Sequence, residues 1–223
     1  MDRCQKGLTA RLKPLAASGL MLVAALGLAS CNTLAATFLK PEIDTTAATL
    51  PEGEYRLDPK HAALIFRINH LGYSTYIGRF ERFDASLTGD PAQPGSAKVT
   101  ALVDMGSLNV ANPDFSAELM GPDWLDAARF PEARFETNSV TLTGNTQAEI
   151  RGRLTLKGTS QPVTIQAKLN GSAYDRLRGA EVVGFSARLP ISRSAFGIDR
   201  FSGLLADEVE IEIEAEFIRQ TGG

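Results

Sequence analysis

The chain is poor in the residues that most often carry chemistry. Its 223 residues include two cysteines, two histidines and one tryptophan. Both cysteines, Cys4 and Cys31, lie near the N-terminus, so the body of the chain has no disulfide and must hold together by its core alone. The histidines, His61 and His70, stand nine residues apart with no cysteine near them. That is no recognisable zinc or iron ligand set, and no metal is expected. A Gly-x-Ser-x-Gly elbow is missing, for "SRSAFG" (192–197) is not one, and Gly179, Gly184 and Gly197 are not spaced as a phosphate loop. Two histidines also leave little material for a Ser/His/Asp set assembled from distant strands. An excess of positive charge is lacking too: 23 Lys and Arg face 26 Asp and Glu, a formal net charge of −3.

No uncharged apolar run is long enough to span a bilayer, which takes about 20 residues. The longest is "PLAASGLMLVAALGLAS" (14–30), preceded by Arg3, Lys6, Arg11 and Lys13. A basic region followed by a short apolar one reads as a secretory signal over residues 1–30. With Asp2 it carries +3, so the remainder carries −6. An acidic exported domain is a poor partner for nucleic acid or for anionic lipid surfaces. "LASC" (28–31) resembles the lipobox of bacterial lipoproteins, which implies cleavage before Cys31 and acylation of that cysteine. The alternative is ordinary cleavage after Ala35, with Cys31 discarded. Residues 31–53, rich in Thr and Ala and broken by Pro41 and Pro51, show no sustained period and read as a tether.

From Tyr55 onward the chain alternates. Leu64, Phe66, Ile68 and His70 share one face of 62–70. Val99, Ala101, Val103 and Met105 do so in 97–105. Ala148, Ile150, Gly152, Leu154 and Leu156 follow in 148–157, and Val163, Ile165, Ala167 and Leu169 in 162–170. At the end, Val209, Ile211, Ile213, Ala215 and Phe217 alternate with five glutamates. Such strands have one face in water and one inside, as antiparallel sheets permit. "GTSQP" (158–162) marks a hairpin. Further strands fit 80–89, 133–143, 180–190 and a short piece at 54–58, about eight in all over residues 54–219. The expected fold is all-β, a sandwich or a closed barrel. Inward alanines and glycines leave room at the centre, which favours an antiparallel barrel with a cavity for one small ligand.

One segment breaks the pattern. In "NPDFSAELMGPDWLDAARFP" (112–131), Asn112 can cap a helix starting at Pro113, and Asp123 a second one through Arg129. This short helical insertion forms a lid or floor of the barrel, or else a surface helix filling a gap. Residues expected to line a ligand cavity are Phe66, Ile68 and His70, Tyr73 on the turn that follows, and Phe83, Ala101 and Val103. Trp124 and Leu125 join them from the insertion, with Phe135, Leu154, Ile165, Ala167 and Phe196 from later segments. His70 is a core polar group, a headgroup contact at the mouth of an apolar pocket, or, in a second reading, the acid/base of an envelope enzyme.

The motifs, taken together, resemble the YceI-like, polyisoprenoid-binding family. "YRLDPKHAALIFRINHLGYSTYIGRFERFDASL" (55–87) is similar to its opening, "DWLDAARFPEARFET" (123–137) to its central segment and "GRLTLKGTSQPVTI" (152–165) to its hairpin. "ISRSAFGI" (191–198) resembles its Arg-Ser-x-Phe-Gly signature, and "DEVEIEIEAEF" (207–217) its last strand. The resemblance implies a lipocalin-like eight-stranded barrel in the periplasm or cell envelope. It would hold a long isoprenoid-type lipid and be tethered to a membrane, the outer one, by an acylated Cys31. Where family members commonly carry Arg-Asp-x-His-Leu, this chain reads "FSAEL" (115–119). Losing two basic residues there argues against a polyprenyl diphosphate and for a neutral lipid such as a quinone. No cofactor other than the bound lipid is implied.

Overall fold

Alternation produces ten strands in the computed structural model, which describes residues 39–46, 50–90 and 93–220. The expected signal, Cys31 and part of the tether lie outside those residues. In chain order the strands are β1 (Gly53–His70), β2 (Ser74–Phe80), β3 (Phe83–Gly89), β4 (Lys98–Asp104) and β5 (Leu108–Asn109). After a helix, α1 (Pro113–Met120), come β6 (Glu132–Leu142), β7 (Gln147–Leu156), β8 (Thr159–Asp175), β9 (Ala180–Ser192) and β10 (Glu208–Arg219). All neighbours pair antiparallel, and β10 pairs back onto β1, which closes the sheet.

The barrel has eight staves because two of them are interrupted. β2 and β3 both pair with the same edge of β1, at Leu64↔Phe80 to His70↔Ser74 and at Gly53↔Gly89 to Arg56↔Ser86. β4 and β5 follow them in the same way. Buried Ser107 stitches the two breaks. Its hydroxyl accepts from the Arg82 amide (3.0 Å) and donates to the Asp104 carbonyl (2.6 Å), while its own carbonyl accepts from the Glu81 amide (3.0 Å).

Four expectations change in detail. The pieces at 54–58 and 62–70 are one strand, β1, carrying a bulge against β10 between Leu57 and Ala62. Pro59 has no amide hydrogen for the ladder there, and Asp58 fixes the bulge by accepting from the Lys60 amide (3.0 Å) and pairing with His61 (2.8 Å). The expected strand at 80–89 is divided at Glu81 and Arg82, its first residue ending β2 and the rest forming β3. The hairpin turn is tighter than "GTSQP": only Lys157 and Gly158 lie between β7 and β8, both at positive φ (49° and 75°), as a two-residue hairpin of this type needs. The first expected helix forms as α1, with the Asn112 side chain capping the Phe115 amide at 3.1 Å. The second does not. The amides of Leu125, Asp126 and Ala127 fold back onto the carbonyls of Leu119, Gly121 and Met120, so 122–129 is a run of turns against the end of α1.

The barrel has a proximal end, where β1 begins and β10 finishes, and a distal end carrying the 71–73 turn, the 105–131 segment and the 193–207 connection. Tyr55, Leu57, Leu169, Val183, Ala215 and Phe217 pack together towards the proximal end, and Met105, Trp124, Leu156, Phe196 and Ile198 towards the distal one. The late part of the expected tether touches the barrel: Asp44 bridges Ser172 on β8, and Leu50 packs against the proximal cluster.

The outer face of β10 carries its glutamates in cross-strand ion pairs, Glu212 with Arg67 (2.8 Å) and Glu210 with Arg188 (3.1 Å). Ile211, on the other face, lines the interior. Ile211→Asp puts a carboxylate among apolar walls and is expected to cost more than about 3 kcal/mol of stability. Glu208→Ala on the exposed face is expected to cost about 0.5 kcal/mol or less. Urea unfolding of both variants checks the facing of the strand.

The β1 bulge makes stability depend on pH. Arg178 reaches into it from the β8–β9 connection, 3.3 Å from Asp58 and 2.8 Å from Glu216. Partial burial is the largest influence on the Asp58 carboxyl and pushes its pKa up. The hydrogen bonds from His61 and the Lys60 amide, with the charges of His61 and Arg178, together outweigh it and hold the pKa below the ordinary value. The contribution is therefore complete above the unfolded-state pKa of about 3.9 and is lost as pH falls through the lower folded value. Asp58→Asn is expected to be less stable than wild type at neutral pH and to show a shallower loss on acidification. Denaturant midpoints between pH 7 and pH 2 measure both.

Candidate functional site

The inward faces of the staves enclose a cavity of about 860 Å³. Its walls come from the alternation itself. Leu64, Phe66 and Ile68 project from β1, Val99, Ala101 and Val103 from β4, and Ile150 and Leu154 from β7. Ile165 and Ala167 face them from β8, and Val209, Ile211 and Ile213 from β10. Space survives at the centre because several inward positions are small. Gly152 sits where a Cβ would lie 2.4 Å from both the Phe135 ring and the Glu136 carbonyl, so its missing side chain is what lets Phe135 stand beside the cavity. Gly78 does the same for Phe66.

Twelve of the fourteen residues expected at the cavity line it: Phe66, Ile68, His70, Phe83, Ala101, Val103, Trp124, Leu125, Phe135, Leu154, Ile165 and Ala167. Two do not. Tyr73 is 86% exposed at the tip of the β1–β2 turn, where strand alternation no longer governs direction. Phe196 is 2% exposed and packs with Met105, Trp124, Leu156 and Ile198. It belongs to a single 3₁₀ turn, Ser194–Phe196, whose Gly197 cap at φ 71° directs the ring into the distal core.

The lining also includes residues that sequence reasoning left out. Tyr76 stands opposite Ile68 on β2, edge-on to the Phe115 ring of α1 at 5.8 Å, and burial pushes its hydroxyl pKa up. The alternation of "STYIGRF" was the available signal. Leu71, Phe201, Leu204 and Leu205 join at the distal end. Arg193 had no local signal: it is 4% exposed, and its guanidinium donates to the carbonyls of Ala206, Ile198, Arg200 and Leu205 at 2.7–3.3 Å. It organises the connection before β10, and those donors are spent on backbone. Asp207 closes the same connection by accepting from the hydroxyl of Ser192 and the amide of Ser194. The hydrogen bonds from Ser192 and Ser194 hold its pKa below the ordinary value.

Polar groups therefore sit mainly at the ends of the cavity. His70 is exposed at the distal rim, its ring 6.4 Å from Tyr76, with no hydrogen-bond partner among the described residues. At the proximal end the Tyr55 hydroxyl donates to the Pro51 carbonyl at 2.6 Å, and burial raises its pKa. The indole N–H of Trp124 is buried without a partner among the described residues. Away from the cavity, Asp58, His61 and Glu216 bring three potential metal-ligand atoms within 4.8 Å of one another. The Arg178 guanidinium already stands among them, 2.8 Å from both His61 Nδ1 and Glu216, and supplies the positive charge a cation would bring.

A closed antiparallel barrel of eight staves with one short helix and an apolar interior defines the class, a cavity-bearing β-barrel. Within that class, the chain belongs to the YceI-like domain family, whose profile matches residues 55–217, as the ordered motifs implied. A UPF0312 protein of Pseudomonas aeruginosa is 36% identical over 191 residues, covering 85% of this chain and 98% of that one. The crystal structure of the Campylobacter jejuni YceI protein is similar with a TM-score of 0.63 at 28% identity, over 69% of this chain and 91% of that chain. A polyisoprenoid-binding domain from Saccharophagus degradans, implicated in plant cell wall breakdown, shares the fold with a TM-score of 0.57 at 12% identity, over 74% of this chain and 98% of that chain.

The cavity's dependence on glycine can be tested directly. Gly152→Ala forces Phe135 inward, since the strand carbonyl of Glu136 blocks the other direction. The variant is expected to lose about 1–3 kcal/mol by overpacking, measured by thermal or urea unfolding.

Proposed function

We propose that the protein is an exported lipid-binding carrier that holds a long, uncharged isoprenoid or quinone-like lipid in the barrel. The observation that carries this reading is the apolar cavity. At roughly 30 Å³ per water-sized group, its volume takes about 25–30 heavy atoms, the size of a medium-length prenyl chain. Burial at about 0.8 kcal/mol per methylene would supply the affinity. The Saccharophagus degradans domain of the same fold is described as polyisoprenoid-binding, which supports the ligand class. Residues 115–119 support an uncharged headgroup. Phe115 and Glu118 line the cavity there, the latter as a carboxylate that repels anions, while Ser116 is engaged with the Asn112 carbonyl (2.8 Å) and the Val110 amide (3.1 Å).

His70 fits a rim contact better than a catalytic base, because no group among the described residues orients its imidazole. The periplasm or cell envelope is the proposed location, with an acyl anchor on Cys31 holding the chain to the outer membrane. The signal over residues 1–30 and "LASC" support that placement.

Native mass spectrometry of protein purified from its own envelope tests the reading, which expects one co-purifying lipid mass. His70→Ala removes at most one hydrogen bond, worth about 0.5–1.5 kcal/mol, so lipid affinity should fall by about tenfold or less. Ala167→Trp fills the cavity and should abolish binding in protein whose circular dichroism remains that of the folded barrel. Complete loss with His70→Ala and full retention with folded Ala167→Trp would instead place the ligand in a small polar site at the histidine.

A further inference from the structure

Four large apolar side chains stand exposed at the distal end. Leu71 (48%) and Tyr73 (86%) are on the β1–β2 turn, and Phe201 (52%) and Leu204 (67%) on the connection between β9 and β10. Pairing of Ile68 with Val209 sets these two segments next to each other, since one leaves β1 just where the other enters β10. The tips are free of charge, reading "LGYST" (71–75) and "FSGLLA" (201–206). Leu71, Phe201 and Leu204 also line the cavity, so the exposed apolar rim and the interior are one continuous surface.

The backbone adds an independent sign. Leu71 (φ 56°) and Phe201 (φ 57°) lie in the left-handed region, which bulky residues rarely adopt and glycine or asparagine takes at lower cost. At Leu71 the tight turn into Gly72 (φ 79°) needs this conformation, as the Lys157–Gly158 turn does, yet the residue placed there is a bulky apolar one. Leu71 and Phe201 both turn an apolar side chain towards solvent at the mouth.

We propose that this distal rim docks on a lipid bilayer and that the ligand passes between bilayer and cavity across it. The inference rests on the lipid-carrier reading above, and it adds where the ligand enters and from what. A bilayer fits better than a protein partner because the rim continues into the cavity. Every methylene that must cross water slows transfer about fourfold, so ten of them slow it about a millionfold, and direct contact removes that barrier. The uncharged tips suit a membrane surface approached by an acidic domain, which gains nothing from electrostatic attraction.

The test uses the sole tryptophan, Trp124, which lines the cavity and should be quenched by a bound quinone. Protein as the cell processes it is first titrated with a short-tailed, water-soluble prenylated benzoquinone. It is then mixed with zwitterionic phosphatidylethanolamine/phosphatidylcholine vesicles containing a long-tailed one, and the quenching rate is followed. Tyr73→Asp, at a rim position off the cavity, is expected to leave the solution titration unchanged. Uptake from vesicles should slow about tenfold, the effect of 1.4 kcal/mol of lost bilayer contact. Leu177→Asp, equally exposed but on the β8–β9 connection at the proximal end, is expected to change neither. Wild-type uptake rates in Tyr73→Asp, or slowing as large in Leu177→Asp, would overturn the docking surface while leaving the carrier reading intact. Absence of quenching in the solution titration would remove the carrier reading for a quinone-like ligand, before any vesicle is added.

Discussion

Closure of β10 onto β1 is the constraint from which the rest of this structure follows. Without that pairing the sheet would be open, with two edges offering unpaired backbone groups and an apolar face with nothing to cover it. With it, every inward residue faces others across a shared interior. β1 must serve two partners over its 18 residues, one edge meeting β10 and the other meeting β2 and β3 in turn. A strand this long cannot keep one register on both edges, and the bulge at residues 58–61 absorbs the difference. That explains the ionic cluster outside it. Asp58 and His61 from the bulge, Arg178 from the β8–β9 connection and Glu216 from β10 fasten three elements at the seam where the barrel closes.

Closure would normally be accompanied by a filled centre, and here it is not. Ala101, Ala167 and Ala187 face the interior where larger residues would interdigitate, and Gly78 and Gly152 yield their positions to the rings of Phe66 and Phe135. Side chains around an unfilled volume forfeit dispersion contacts. Dense clusters towards the two ends, around Val183 and Phe217 and around Trp124 and Phe196, and a smaller one on the wall between them around Phe135, Ile165 and Leu189, supply packing that the open centre lacks. A ligand filling the cavity would restore the missing contacts and stabilise the folded state by mass action.

Much of this was legible because alternation is a local signal with a global meaning. The inward positions of β1, β4, β7, β8 and β10 were readable from the period of two, and the wall of the cavity followed from them. What escaped reading was set by contacts distant in sequence. Residues 123–129 have a capping aspartate and helix-forming composition, yet their amides are captured by carbonyls at the end of α1. Phe196 sits in a family-like motif, but a 3₁₀ turn aims it into the distal core. Tyr73 lies three residues past His70, the last position of β1, beyond the point where parity predicts direction. Arg193 is the clearest case, for nothing in "ISRSAFG" says that its charge is buried among carbonyls contributed by residues 198–206.

The partners of the polar residues near the cavity bear on whether a ligand would be held or transformed. A catalytic pair needs a group free to exchange protons and a neighbour that orients it. Here the groups with well-defined partners are structural. Arg193 binds four backbone carbonyls, Asp207 ties Ser192 and Ser194 to the start of β10, and Ser116 braces the helix cap. Among the described residues, those without partners, His70 at the rim and the phenol of Tyr76, have no second group to set their direction. A largely apolar interior with polar groups mainly at its ends can discriminate a headgroup weakly and a chain strongly. Selectivity in such a site would follow mainly from the length and shape of what is buried, which is what the proposed carrier role requires.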